Sequence, residues 1–256
     1  MDVNPFESRF GGVIRLYGVA GATRLMSARV TVIGLGGVGS WAAEAIARTG
    51  IQHVRLIDMD DVCVTNINRQ LVALESTVGK QKADVLAERL RSINSDAEII
   101  ATNEFFLPST AESLLTPTPD LVIDAIDDTA NKVALLATCH ERRIPTVTCG
   151  GAGGRRDAGR VRHADLNRTT GDGLLRETRR RLRREYDFPE TGDWGIPCAF
   201  SDEPIVFPIP DIDSDPDSRK SLRIDCSQGL GAATHVTATM GMRLAQLAIE
   251  QLLRGN

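Results

Sequence analysis

The chain has 256 residues, 42% of them hydrophobic, and 30 lysines and arginines against 34 aspartates and glutamates give a formal net charge of −4. That is room for one large α/β domain, or one with an appendage, around a real core, and the acidic balance excludes a general nucleic-acid binder. Five cysteines lie far apart with no C-x-x-C spacing, so neither a zinc site nor a thioredoxin-type motif is expected; the odd count, the lack of a signal-peptide pattern and the lack of an apolar run near the ~20 residues of a membrane span predict a cytoplasmic protein with no membrane segment.

Residues 1–27 read as an N-terminal arm packed on the domain. Glycines make Arg9–Gly18 poor helix material, and a short helix is expected only over Val19–Met26. Val30-Thr31-Val32-Ile33 is a β-branched apolar run, the pattern of a buried strand. It enters a G-x-G-x-x-G turn at Gly34, Gly36 and Gly39, with Gly37 inside it, and Trp41–Arg48 reads as the following helix. Such a turn sets bare backbone N–H groups and a helix N-terminus against a phosphate. A second strand, His53–Asp58, ends in an acid 24 residues after Gly34, where a ribose-binding carboxylate belongs. These features say nucleotide without saying which one.

The stretch after Asp58 carries more than an ordinary dinucleotide-binding domain needs. Asn66 and Arg69 are three apart, so one helical turn puts them on the same face. A helix opens near Gly79 and runs to about Ile93 on the apolar stripe Ala83, Leu86, Ala87, Leu90 and Ile93. Lys82 falls in its first turn, where the helix dipole disfavours a cation. It is either a solvated lysine or one aimed at phosphates, which would offset that cost. Glu98–Thr102 is a third strand. A fourth, from Asp120, ends in Asp127-Asp128, at the edge where open α/β sheets bind ligands. Asp127 suits a hard cation such as Mg²⁺, unless one of the two acids N-caps the helix Thr129–Arg142. Pro145–Cys149 is a fifth strand, and the glycines of Gly150–Gly154 beyond it allow a close backbone approach.

From Arg155 the composition shifts. A helix over Leu174–Tyr186 carries six arginines, Arg179, Arg180, Arg183 and Arg184 among them, offset only by Glu177 and Glu185. It reads as a solvated face or a nucleic-acid contact. Ser201–Ser218 is acidic and proline-rich, a loop or crossover. A second glycine-punctuated turn, Ile224–Gly231, contains Cys226, and Ala232–Leu253 is a last helix with polar interruptions, at the surface or in a dimer. The succession predicts an α/β fold: a Rossmann-like, doubly wound, mostly parallel sheet with an appended C-terminal substrate-binding region. The divisions are the arm 1–27, a nucleotide-binding core 28–154, and 155–256 completing the domain.

The set Gly34-x-Gly36-Gly37-x-Gly39, Asp58, Asn66-x-x-Arg69, Lys82 and Asp127 resembles the ATP-binding core of the ubiquitin-activating-enzyme superfamily, which includes adenylating enzymes of the ThiF and MoeB type. The resemblance implies that Asp58 binds the ribose hydroxyls and that Asn66, Arg69 and Lys82 grip the phosphates. Asp127 would then hold Mg²⁺ or orient the triphosphate. Arg9-Phe10-Gly11-Gly12, Val38-Gly39-Ser40-Trp41, Thr148-Cys149-Gly150-Gly151-Ala152-Gly153-Gly154 and Asp225-Cys226-Ser227-Gln228-Gly229-Leu230-Gly231-Ala232 are, in addition, similar to the tRNA threonylcarbamoyladenosine dehydratases. This second resemblance spans nearly the whole chain. It implies a homodimer that cyclises threonylcarbamoyladenosine in tRNA with ATP and Mg²⁺, linked in some organisms to a cysteine desulfurase system. The chain departs from the wider superfamily in two ways. Gly12 aligns where an arm arginine often reaches the partner subunit's ATP, with Arg9 and Arg15 nearby, and the zinc-binding cysteine pairs are absent.

Three readings compete: the tRNA dehydratase, an adenylyltransferase acting on the C-terminus of a sulfur-carrier protein, and an NAD-dependent oxidoreductase or nucleotide sensor. Asn66, Arg69 and Lys82 weigh against NAD, since a dinucleotide needs no cationic clamp beyond its pyrophosphate. The missing zinc cysteines and the arginine-rich segment weigh against the carrier protein. In the dehydratase reading, Arg69, Lys82 and Asp127 carry the adenylation. Cys226 offers a thioester route that ring closure does not require.

Overall fold

A computed structural model describes residues 5–207 and 230–254 of the chain. The helices are α1 (Pro5–Ser27), α2 (Gly39–Arg48), α3 (Lys82–Ile93), α4 (Ala111–Leu114), α5 (Thr129–Glu141), α6 (Gly173–Tyr186) and α7 (Thr234–Arg254). The strands are β1 (Arg29–Ile33), β2 (His53–Ile57), β3 (Glu98–Thr102), β4 (Leu121–Asp124), β5 (Thr146–Cys149), β6 (Val161–Asp165) and β7 (Pro197–Ser201). They form one sheet of seven strands in the order β3-β2-β1-β4-β5-β7-β6. Every pairing is parallel except that of β6 with β7. The central strands β4 and β5 are buried at every position, as parallel strands covered on both faces must be. Val30 and Val32 pack with α2, α3 and α7 on one face, and Ile33 and Ile57 pack with α4 and α5 on the other. The strand order reverses between β1 and β4, and that switch point opens a crevice at the strand C-termini.

The N-terminal arm differs from expectation. Helix runs from Pro5 to Ser27 straight through the glycines and breaks only at Gly18, with φ 74° and ψ 168°. Each helical glycine costs about 1 kcal/mol, and tertiary packing offsets it. The Phe6 and Phe10 rings lie 4.8 Å apart and close over Gly50, where a Cβ would come within 3.1 Å of Phe6. Leu25 is fully buried, and a Cβ on Gly21 would meet Leu253 of α7 at 3.3 Å. Arg9 pairs with Asp96.

Two strands went unforeseen in the arginine-rich region. β6 has exposed charged residues on an edge, and β7 opens on a proline, so neither carries the usual β-branched signature. Together they extend the sheet beyond β5. Ser201 closes β7, and Asp202 and Glu203 after it are bonded: Asp202 to Arg160 at 2.8 Å, Glu203 to the backbone N–H groups of Arg156 and Asp157, both at 2.9 Å. The rest of the acidic segment, and Cys226, lie outside the described residues.

Candidate active site

The glycine turn after β1 is shaped by what it leaves out. Gly34 has φ 87°, and a Cβ there would sit 2.7 Å from the Ala125 carbonyl oxygen; one on Gly39 would sit 1.8 Å from the Gly34 oxygen. The loop therefore lies flush against the end of β4, which no larger residue permits. Among the described residues the N–H groups of Gly36, Gly37 and Val38 make no hydrogen bond, so they remain available as donors at the start of α2.

Asp58 stands at the end of β2. One carboxylate oxygen accepts from the Leu35 N–H at 2.6 Å and the other from the Asp60 N–H at 2.8 Å. Burial pushes its carboxyl above the usual aspartate range, with the Lys82 ammonium and the two N–H groups pulling the other way. Lys82 is buried, and its Nζ lies 2.7 Å from Asp60 Oδ2. It opens α3, so the cation does stand in a first turn, held there by a carboxylate. Asp60 thus binds both the acid and the lysine, a role the sequence did not suggest.

Asn66 and Arg69 come from a 3₁₀ turn and the residues just after it. The Asn66 side-chain oxygen accepts from the Cys63 N–H at 3.0 Å, fixing the turn. The Arg69 guanidinium donates to the Thr65 carbonyl at 2.7 Å and to the Asn68 side chain at 3.0 Å, and its stem lies beside Gly37. Trp41 Nε1 donates to the Arg69 carbonyl at 3.2 Å, tying that backbone to α2.

The two acids after β4 divide their work. Asp128 N-caps α5, accepting from the Asn131 N–H at 2.8 Å. Asp127 is exposed and makes no hydrogen bond among the described residues. It is therefore the carboxylate left available at the crevice, and an exposed, unbonded carboxylate suits an Mg²⁺ shared with phosphate oxygens. Among the described residues, no group of three or more His, Cys, Asp or Glu is arranged to hold a metal by itself.

Beneath the crevice lies a buried network that the sequence reading missed. Lys132 and Asp124 are both fully enclosed, with Nζ 2.6 Å from Asp124 Oδ2 and 3.1 Å from Thr148 Oγ1. Thr148 donates to the same carboxylate oxygen at 2.6 Å, and Asp124 Oδ1 takes the Ile126 N–H at 3.0 Å. Burial pulls the Lys132 pKa down and the neighbouring Asp124 carboxylate pulls it up, and the net shift is upward. A lysine on the apolar face of a helix and an acid at the end of an apolar strand were the available signals. Cys149 beside the network is pushed up to about 12 by burial, so it is a thiol at neutral pH and no nucleophile.

The arginine helix is less free than its composition suggests. Arg179 donates to Thr169, and Arg183 donates to Asn167 with its guanidinium 5.3 Å from the centre of the Trp194 ring. Arg180 pairs with Glu177, and Arg181 and Arg184 both pair with Glu185, holding that carboxyl down to about 2.

Comparison with known proteins finds relatives over nearly the whole chain. The model of the ThiF family matches residues 11–252. Over 254 residues the chain is 41% identical to the tRNA threonylcarbamoyladenosine dehydratase of Haemophilus influenzae, covering 98% of this chain and 96% of that one. The enzyme of the same name from Escherichia coli K12 is 42% identical over 253 residues, covering 97% and 94%. A crystal structure of the E. coli enzyme in complex with ATP matches this fold with a TM-score of 0.87 at 40% identity, over 99% of this chain and 97% of that one.

Proposed function

The chain belongs to the ThiF family, and from that premise we propose that it uses ATP to dehydrate threonylcarbamoyladenosine in tRNA, closing the side chain into a ring through an acyl-adenylate. The observation that carries this reading is the likeness to dehydratases at 41–42% identity over nearly the whole of both chains. The relative solved with ATP supports ATP as the nucleotide.

The chemistry follows from what a carboxylate lacks, which is a leaving group. An oxygen of the threonyl carboxylate attacks the α-phosphorus of ATP, and the bond to pyrophosphate breaks. The carbamoyl nitrogen or oxygen then attacks the acyl carbon, AMP departs, and one proton is lost as the five-membered ring closes. The second step is intramolecular, an advantage of roughly 7–11 kcal/mol. The first needs most help, because negative oxygens must be held together. The free N–H groups of Gly36, Gly37 and Val38 suit the phosphates, Asp58 the ribose, and Arg69 and Lys82 the departing pyrophosphate. Asp127 would hold Mg²⁺, whose charge offsets that of the phosphates. Neither step requires a protein thiol, so Cys226 has no assigned part. The reading also carries a homodimer working in the cytoplasm, where its tRNA is, with a cysteine desulfurase system as a partner in some settings.

The test is to incubate the protein with ATP, Mg²⁺ and bulk tRNA and to analyse the nucleosides by mass spectrometry. The expected result is loss of one water from threonylcarbamoyladenosine, dependent on ATP. An unchanged nucleoside, with adenylation of a carrier-protein C-terminus instead, would overturn it.

A further inference from the structure

Among the arginines from Arg155 to Arg184, Arg156 and Arg176 are the two whose side chains make no hydrogen bond or ion pair among the described residues, and both are exposed. Their backbones, by contrast, are pinned. The Arg156 N–H donates to Glu203 at 2.9 Å, and its carbonyl lies 2.8 Å from His235 Nε2 at the start of α7. The Arg176 N–H donates to the Asp172 carbonyl at 3.0 Å, and Asp172 fastens the first turn of α6 to the glycine loop by accepting from Gly151 N–H at 3.0 Å and Leu175 N–H at 2.9 Å. Among the described residues, two cations without a side-chain bond therefore stand on anchored backbone, Arg156 just after Gly150–Gly154, the loop that leaves the C-terminal end of β5, and Arg176 in the helical turn fastened to that loop.

We propose that Arg156 and Arg176 form the phosphate-binding rim that seats the RNA backbone beside the crevice, and that the outer arginines of α6 do not. The inference rests on the tRNA reading above and assigns where the RNA is gripped. α6 starts at the crevice edge and leads away from it: its far end reaches Phe188, whose ring stacks 4.5 Å from His140 near the far end of α5. At 1.5 Å rise per residue, Arg180 and Arg184 stand about 6 and 12 Å farther along the axis than Arg176. The reacting nucleotide must bring its carboxylate to the α-phosphate at the strand C-termini, so its flanking phosphates fall nearest the loop. Charge agrees with position. Glu177 and Glu185 already offset Arg180, Arg181 and Arg184, whereas nothing among the described residues pairs with Arg156 or Arg176. An unpaired cation on a fixed backbone meets a phosphate without first breaking a bond or ordering its own mount.

The experiment measures tRNA binding by the full chain between 50 and 250 mM salt, using bulk tRNA as the probe, for wild type, Arg156→Gln/Arg176→Gln and Arg180→Gln/Arg184→Gln. Each phosphate contact contributes about 0.7–0.9 to the slope of log affinity against log salt. The first pair of substitutions should flatten the slope by about 1.4–1.8, and the second should leave it at the wild-type value. Melting temperatures within a degree or so of wild type, expected for exposed side chains away from the core, exclude misfolding as the cause. A slope unchanged in the first variant, or an equal loss in the second, overturns the assignment while leaving the tRNA reading intact if wild type still dehydrates the nucleoside. Absence of salt-dependent tRNA binding in wild type overturns the assignment, and with no dehydration of the nucleoside it overturns the tRNA reading as well.

Discussion

Replacing Lys132 with methionine isolates the buried network under the crevice. Methionine fills much the same volume but leaves the Asp124 carboxylate enclosed without a cation. Breaking such a pair by removing one partner costs about 3–5 kcal/mol. Two donors remain to Asp124, the Thr148 hydroxyl and the Ile126 N–H, which favours the lower end, about 3 kcal/mol. For a chain of this size that is a fall of roughly 6–12 °C in melting temperature. Urea titration at constant m reads the loss directly. The double variant Asp124→Asn/Lys132→Met removes both charges while keeping an acceptor for Ile126, and should recover more than half of the loss, a strongly non-additive pair. The raised Lys132 pKa sets the pH window. Stability from a group whose folded pKa exceeds its unfolded one is complete below the unfolded value, ~10.4 for lysine, and is lost as pH rises through the folded value. The deficit of Lys132→Met should therefore shrink as the pH rises into strong alkali, where wild type loses the same charge. A deficit under about 1 kcal/mol, or one that is additive with the Asp124 change, would refute the reasoning.

Asp58→Ala removes the carboxylate expected at the ribose, and a charge-assisted hydrogen bond of ~1.5–3 kcal/mol predicts a ten- to hundredfold weaker ATP dissociation constant by calorimetry; an unchanged constant removes Asp58 from the site. Lys82→Ala should slow single-turnover dehydration a hundred- to a thousandfold, from the ~2.7–4 kcal/mol of one preorganised charge stabiliser, with a smaller loss of ATP affinity, and Lys82→Arg should rescue poorly because a planar fork does not replace a compact ammonium. Activity within threefold of wild type would exclude the lysine from the clamp. Alkylation of the native protein at pH 8, read by peptide mass spectrometry, should modify the exposed Cys63 and spare Cys149, which burial raises to about 12, and the enclosed Cys198; rapid labelling of Cys149 would contradict its placement.

The segment from β1 through the glycine turn to β2 was legible because its signals are local. Strand, glycine turn and acid are encoded in adjacent residues, and Gly34 and Gly39 can be nothing else where the loop touches β4. The arm was misread because helix propensity counts glycines but not the rings of Phe6 and Phe10 closing over Gly50, a contact with no sequence proximity. The arginine helix shows both limits. Its pairings with Glu177 and Glu185 lie three or four residues apart or side by side and can be read from spacing. Those of Arg179 with Thr169 and of Arg183 with Asn167 and Trp194 depend on how a distant turn folds back.

Two lysine–aspartate pairs show why residue type alone does not separate a scaffold from a working group. Lys132 with Asp124 and Lys82 with Asp60 have nearly the same separation, 2.6 and 2.7 Å, and both ammonium groups are buried. The carboxylates differ. Asp124 has no exposed side-chain surface, while that of Asp60 is 57% exposed. If a phosphate drew Lys132 away, Asp124 would be stranded in a dry interior, at the cost of an unpaired buried charge. If a phosphate draws Lys82 away, water takes its place at Asp60 and the exchange is inexpensive. In the proposed reaction Lys82 would therefore be the lysine free to turn its charge toward the phosphates, with Asp60 holding it when none is bound. Lys132 lacks that freedom: its bonds to Asp124 and Thr148 fix the ends of β4 and β5 beneath the crevice.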